Sequence, residues 1–215
     1  MRVAEVACEN VFKPELMLEF YEPWTYRKAS TVRLTNMRAF TTLLAIGSFA
    51  VSALADGAAI VHCLNTITGA TANLNNTVLE FYYAEIGLLE LLPVVSAQET
   101  LLNDVKDGTK TAQASADLSN LESIAVYGAT QALVAAVNQT LTTLELAKPK
   151  FDGLLLVSPI ILQDLQTDKK ASDQLSAAII SKVPTELQAF AQQAVAPLDA
   201  KFLEAITVYG QSSLL

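Results

Sequence analysis

Ile60–Phe81 reads IVHCLNTITGATANLNNTVLEF, and Ile60, Leu64, Ile67, Thr71, Leu74, Val78 and Phe81 follow one another in steps of four and three, with Cys63 three residues after Ile60 on the same stripe. That spacing lays side chains along one stripe of a helix with about 3.6 residues per turn. A half-buried strand would require alternation by two, and signals of that kind are nearly absent from the chain. The stretch predicts a long amphipathic helix with one face in a core.

The same period continues downstream. After Pro93, a second helix carries Val94, Ala97, Gln98, Leu101 and Val105 on one face and is expected to end near Asp107-Gly108, with the polar run DGTKTAQAS as a linker. Ser119-Asn120-Leu121-Glu122 has the form of a capping box, in which each side chain satisfies the other residue's free amide. It opens a third helix with a predicted stripe of Ile124, Tyr127, Gln131, Val134, Leu141 and Leu144, stopped by Pro149. Ser158-Pro159 reads as cap and first-turn proline of a fourth helix, with Leu162, Leu165, Ser172, Leu175, Ser176 and Ile179 inward. Pro184-Thr185-Glu186 opens a fifth, carrying Leu187, Phe190, Ala194, Leu198, Phe202, Ile206 and Tyr209, with a kink expected at Pro197. GLLLVSPII is the best strand candidate, and Pro159 within it argues against a strand. The expectation is an all-α, antiparallel five-helix bundle.

Upstream, Met37–Gly57 reads MRAFTTLLAIGSFAVSALADG and has the three parts of a secretory signal. Arg38 is a basic start, Ala39–Val51 an uncharged apolar run, and Ala53-Leu54-Ala55 a small-x-small cleavage sequence. The run is short for a membrane span, which takes about 20 apolar residues. Residues 37–55 are therefore expected to be removed, leaving a mature domain of 56–215. Residues 1–36, with Cys8 and the single Trp24, read as an upstream extension absent from the mature protein. They are too few to bury a core alone.

Residues 56–215 hold eight Lys, no Arg and seventeen Asp plus Glu, a formal charge of −9. An acidic domain without a guanidinium group is badly equipped for phosphate recognition, which excludes nucleic acid. Attraction to an anionic membrane surface, and stable insertion into a membrane, are not expected either. One cysteine, Cys63, remains in the mature segment, so no internal disulfide is expected and stability must come from packing. Two N-glycosylation triplets occur, at Asn75 and Asn138. The C-terminal stretch ITVYGQSSLL lacks the apolar tail of a lipid-anchor signal, so the protein reads as released.

Candidate chemistry is sparse. The single histidine, His62, adjoins Cys63, and neighbouring helical residues point about 100° apart, a poor geometry for a catalytic dyad. No G-x-S-x-G stretch is present. One Cys and one His do not make a zinc site, and Asp104, Asp107 and Asp117 lack calcium-loop spacing. Glu85 and Glu90 read as a solvated helix face. Neither an enzyme, a metal nor a cofactor is expected.

What remains is apolar excess: 52% of the chain is hydrophobic and its mean hydropathy is +0.35. Such a chain packs a dense core or encloses something. The inward stripes are interrupted at Gln98, Gln131, Ser172 and Ser176, and a buried polar group without a partner costs about 1–3 kcal/mol. These positions need one another, water or a ligand head group.

The C-terminal half carries an ordered set of short patterns. Lys148-Pro149-x-Phe151-Asp152 comes first, then Leu162-x-Asp164-Leu165 and Ile179-Ile180-x-Lys182-x-Pro184. Phe202 with Ala205-Ile206 and Tyr209 completes it. With DGAAIVHCLNTITGATANLNNTV at the front, the chain resembles the fungal hydrophobic surface-binding protein A family, also called cell-wall galactomannoproteins, over nearly all of residues 56–210. The resemblance implies a secreted five-helix bundle that binds fatty acids or other lipids in a tunnel between helices. It also implies an alternative, adsorption to hydrophobic surfaces with recruitment of secreted esterases, or an abundant wall antigen. The family supplies no motif sharp enough to place a head group. From stripe position, Ile67, Leu101, Val134, Leu165, Ile179 and Leu198 are predicted to line the acyl chain, together with Leu162 and Phe190. Gln98, Gln131, Ser172 and Ser176 are the head-group candidates.

Overall fold

A computed structural model describes residues 37–85, 87–154 and 156–211, with side chains from Asp56 onward. The chain divides into two units, Met1–Phe40 and Thr41–Leu215, and every side-chain contact below lies in the second. The extension 1–36 lies outside the described residues, as do the side chains of the expected signal. Among the described residues five α-helices follow one another: α1 (Met37–Tyr83), α2 (Leu92–Ala114), α3 (Asn120–Asp152), α4 (Val157–Lys182) and α5 (Thr185–Gly210). A short 3-10 turn, Leu89–Leu91, precedes α2. Among the described residues there is no strand.

Side-chain contacts give the directions. Thr140 Oγ1 donates to the Thr71 carbonyl at 3.2 Å and Thr143 Oγ1 to Asn75 Oδ1 at 2.7 Å, so α1 and α3 run parallel. Lys201 Nζ meets Glu145 at 2.8 Å, and Tyr209 OH donates to the Leu144 carbonyl at 2.6 Å, which sets α5 beside α3. Gln98 reaches Asp168, and Gly108 approaches Leu175, aligning α2 with α4. The bundle is thus up-down-up-down-up, each consecutive pair antiparallel. Its core runs as two apolar clusters along the axis. One is built around Phe81, Phe151 and Phe202, with the first two rings stacked at 4.6 Å, and the other around Ile60, Leu64, Ile67 and Leu175.

The start of α3 is held as expected. The Ser119 side chain accepts from the Glu122 amide at 3.3 Å, and the Glu122 carboxylate accepts from the Ser119 amide at 2.9 Å. Glu122 also accepts from the Gly57 amide at 3.2 Å, tying α3 to α1. The Ser119 hydrogen bonds are the main reason the buried Glu122 carboxyl lies below its ordinary pKa.

Several boundaries differ from the sequence expectation. DGTKTAQAS is not a linker: α2 continues through it to Ala114. Gly108 is buried, and a Cβ there would stand 3.0 Å from Ile67 Cδ1 and 3.6 Å from Leu175 Cδ1. Glycine at this position lets three helices meet, where the sequence suggested a helix end. Pro149 does not stop α3, which runs on to Asp152. A proline in the last turn removes only one backbone donor, so the helix tolerates it there. Ser158 is not a cap; α4 begins after Leu156, whose φ of 73° makes the turn, and Ser158 Oγ donates to Asp152 Oδ1 at 2.5 Å. The front of α3 is rotated relative to the predicted stripe: Ser123, Val126, Ala129 and Leu133 are buried, while Ile124 and Gln131 are exposed. Pro197 lies inside a single helix, α5.

Candidate functional site

Residues of both clusters, with Leu101 and Val137 packed against each, face a common space. That space is a cavity of about 180 Å³ walled by all five helices, more than ten times the ~10–15 Å³ that admits one water. Leu64, Ile67, Thr71 and Leu74 come from α1, Leu101 and Val105 from α2, and Leu165, Ile179 and Ile180 from α4. From α3 come Val134, Leu141 and Leu144, and from α5 Ala194, Leu198 and Phe202. The wall is overwhelmingly aliphatic because three- and four-residue spacing on each helix turns the same stripe inward. At the end where α3 and α5 begin, Ile124, Tyr127 and Phe190 line the cavity while remaining exposed, so it reaches the surface there. A groove between α4 and α5 shares Ser176, Ile180, Val195 and Leu198 with it.

Polar groups in the wall fall into two kinds. Thr71, Thr130, Thr140 and Ser123 donate to backbone carbonyls, so their hydroxyl protons are already committed. Ser172 and Ser176, one turn apart on α4, make no hydrogen bond among the described residues and face the cavity half-buried. Asp168, one turn before Ser172, joins them in the wall. Its Oδ2 accepts from Gln98 Nε2 at 2.6 Å. Burial pushes the Asp168 carboxyl up to about 7; the Gln98 hydrogen bond opposes this, Asp164 adds to it and Lys106 opposes it weakly. Burial also raises Asp164.

Of the predicted lining residues, Ile67, Leu101, Val134, Leu165, Ile179, Phe190 and Leu198 all touch the cavity. Leu162 does not; it packs against the cluster at the Phe81 end. Of the head-group candidates, Ser172 and Ser176 lie in the wall, whereas Gln98 reaches it only through Asp168. Gln131 is corrected outright: it is exposed on α3, because the inward stripe there runs through Thr130 and Leu133–Val134. Asp168 was missed, although its place four residues before Ser172 and eight before Ser176 puts it on their stripe.

The glycosylation expectation at Asn75 is also corrected. Asn75 is 5% exposed and its amide oxygen is held by Thr143, which leaves no room for a glycan. Asn138 is half-buried in the middle of α3, with Oδ1 sealed from solvent, and is not the surface loop a glycan needs. His62 is exposed, and Cys63 is a free thiol packed near Gly108. Among the described residues no three metal-ligating side chains cluster, and no helix is long and apolar enough to cross a membrane.

Residues 57–181, more than half of the chain, match the family described as hydrophobic surface binding protein A. The chain is 28% identical over 116 residues to cell wall mannoprotein 1 of Aspergillus flavus, covering 54% of this chain and 42% of that protein. It thus spans less than half the length of that curated relative. The fold is similar to the crystal structure of AFMP4P in complex with palmitic acid, at 26% identity and a TM-score of 0.67, covering 71% of this chain and 99% of that one. It is also similar to ligand binding domain 1 of the Penicillium marneffei MP1 protein complexed with arachidonic acids, at 21% identity and a TM-score of 0.66, covering 72% and 98%. The second likeness bears on fold alone.

Proposed function

Because the chain belongs to the hydrophobic surface binding protein A family, we propose that it is a secreted protein that takes a long-chain fatty acid or similar lipid into the cavity between its helices. The observation that carries this reading is the aliphatic wall, contributed by five helices and open at the Tyr127–Phe190 end. The palmitic acid complex of AFMP4P, a chain covered over 99% of its length, supports it. Burying about 15 methylenes at about 0.8 kcal/mol each gives a gross gain of about 12 kcal/mol. Ordering the chain and immobilising the ligand take back several kcal/mol, which leaves affinity in the micromolar to nanomolar range. Ser172 and Ser176 offer uncommitted hydroxyls toward the head. Our reading gives the protein a carrier's role and no catalytic step, and places it outside the cell or at its wall.

A second reading, adsorption to apolar surfaces, draws on a different feature. Tyr83, Leu88, Leu89 and Leu92 are exposed where α1 joins α2, and Leu156 and Ile160 are exposed where α3 joins α4. Lys150 donates to the Tyr82 and Ala84 carbonyls, so both turns lie at the same end of the bundle. Apolar side chains gathered at one end mark an interaction surface. Hydrophobic solids or secreted esterases would meet the protein there.

Native mass spectrometry of protein purified from its own medium separates the two. The carrier reading expects co-purified lipid at one or two molecules per chain, saturable with added palmitate. Adsorption without a defined stoichiometry, and no bound mass in solution, would favour the second.

A further inference from the structure

Asp168 is the only carboxylate in the cavity wall among the described residues. Its Oδ2 is engaged by Gln98 from α2, which leaves Oδ1 without a protein partner among the described residues. Among the described residues Lys106 on α2 is the one cation acting on it, and Asp164, one turn earlier on α4, opposes that cation. Among the described residues, the wall from α1, α3 and α5 presents only apolar and hydroxyl side chains, such as Ile67 and Thr71, Thr130 and Val134, Ala194 and Leu198. No arginine occurs from Asp56 onward to neutralise an incoming anion.

We propose that Asp168 selects the lipid head group: a head that brings a hydrogen-bond donor, a long-chain alcohol above all, is accepted throughout the neutral range, whereas an ionised carboxylate is accepted only while Asp168 holds a proton to share with it. This rests on the lipid-carrier reading and deepens it. Two carboxylates at hydrogen-bonding distance do not both stay ionised in a site of low polarity. Between roughly pH 5 and 7 a fatty acid is ionised in water, while Asp168, pushed up to about 7, still carries its proton. The pair then forms with one shared proton and a net charge of −1. Above that range a proton must come from solution, so carboxylate affinity falls by about tenfold per pH unit. An alcohol donates to Asp168 in either state, and its affinity stays flat or rises slightly as the acceptor becomes charged.

The test is equilibrium dialysis of radiolabelled dodecanoate and 1-dodecanol against the secreted protein at pH 5.5 and pH 8.5, below the concentrations at which either self-associates. Dodecanoate should bind about thirtyfold more weakly at the higher pH, given a carboxyl near 7. Dodecanol should change by less than about twofold. Asp168→Asn should abolish the dodecanoate slope. Parallel pH profiles for the two ligands in the wild type would overturn the proposal without any variant, as would a slope that survives Asp168→Asn. Failure of both ligands to bind at either pH would overturn the carrier reading itself, and this proposal with it.

Discussion

The rings of Tyr127 and Phe190 lie 4.8 Å apart, tilted by 34°, across the end of the cavity where α3 and α5 begin. Phe190 is 53% exposed and Tyr127 36%, yet both touch the cavity. Such a pair adds about 0.5–1.5 kcal/mol beyond its buried area, small enough for thermal motion to part it. Phe190→Ala should therefore raise the association and dissociation rates of palmitate several-fold and change Kd by less than about threefold, read by stopped-flow fluorescence. Unchanged rates would move the passage to the groove between α4 and α5.

Asp168 lowers stability where it is charged. Its carboxyl is raised from 3.8 to about 7 in the folded protein, so the native state binds the extra proton and gains relative stability as pH falls from about 7 toward 4. At pH 8 the wild type carries the full penalty of a buried charge, at most about 4 kcal/mol by this shift. Asp168→Asn should therefore raise the unfolding free energy at pH 8 and do little at pH 4, in urea titrations at both. An equal gain at both pH values would contradict the assignment.

Much of this was legible in the sequence, for reasons that differ by residue. The stripe from Ile60 to Phe81 marked the buried face of that part of α1, since its steps agree with a single helical phase. The Ser119–Glu122 box located the start of α3 by local chemistry. The face of α3 just after that start was misplaced because apolar residues occur on both sides of it: Ile124 and Tyr127 serve the cavity mouth, Val126 and Leu133 the core. Gly108 looked like a helix end because its reason for being glycine, the approach of Ile67 and Leu175, is tertiary. The burial of Asp168 was hidden for the same reason, as Gln98 sits seventy residues away in sequence.

Gly108 gives a prediction of its own. Gly108→Val adds branched volume where a single Cβ already comes within 3.0 Å of Ile67, and overpacking of this kind costs about 1–3 kcal/mol. The same change at Gly128, where an added Cβ meets nothing within 4 Å, should cost less in the same thermal denaturation series.

Asn75 and Thr143 form a buried polar pair between α1 and α3. Thr143→Val keeps the shape and removes the donor, leaving the Asn75 oxygen unsatisfied at about 1–3 kcal/mol. Peptide mass mapping of the secreted protein should find Asn75 unmodified. A glycan there would mean that α1 and α3 do not pack as described.

Ile179, 8% exposed in the cavity wall, offers the most direct test of the carrier account. A tryptophan at this position adds volume that a dense core could not take without strain, whereas a cavity takes it by excluding its ligand. The measurement is palmitate affinity of Ile179→Trp against wild type, with thermal stability of the ligand-free proteins recorded beside it. The account predicts affinity weakened by about 1.4 kcal/mol or more, a factor of at least about ten, with the unfolding midpoint nearly unchanged. Affinity intact with the midpoint collapsed would place Ile179 in a filled core and contradict a lipid cavity between the helices.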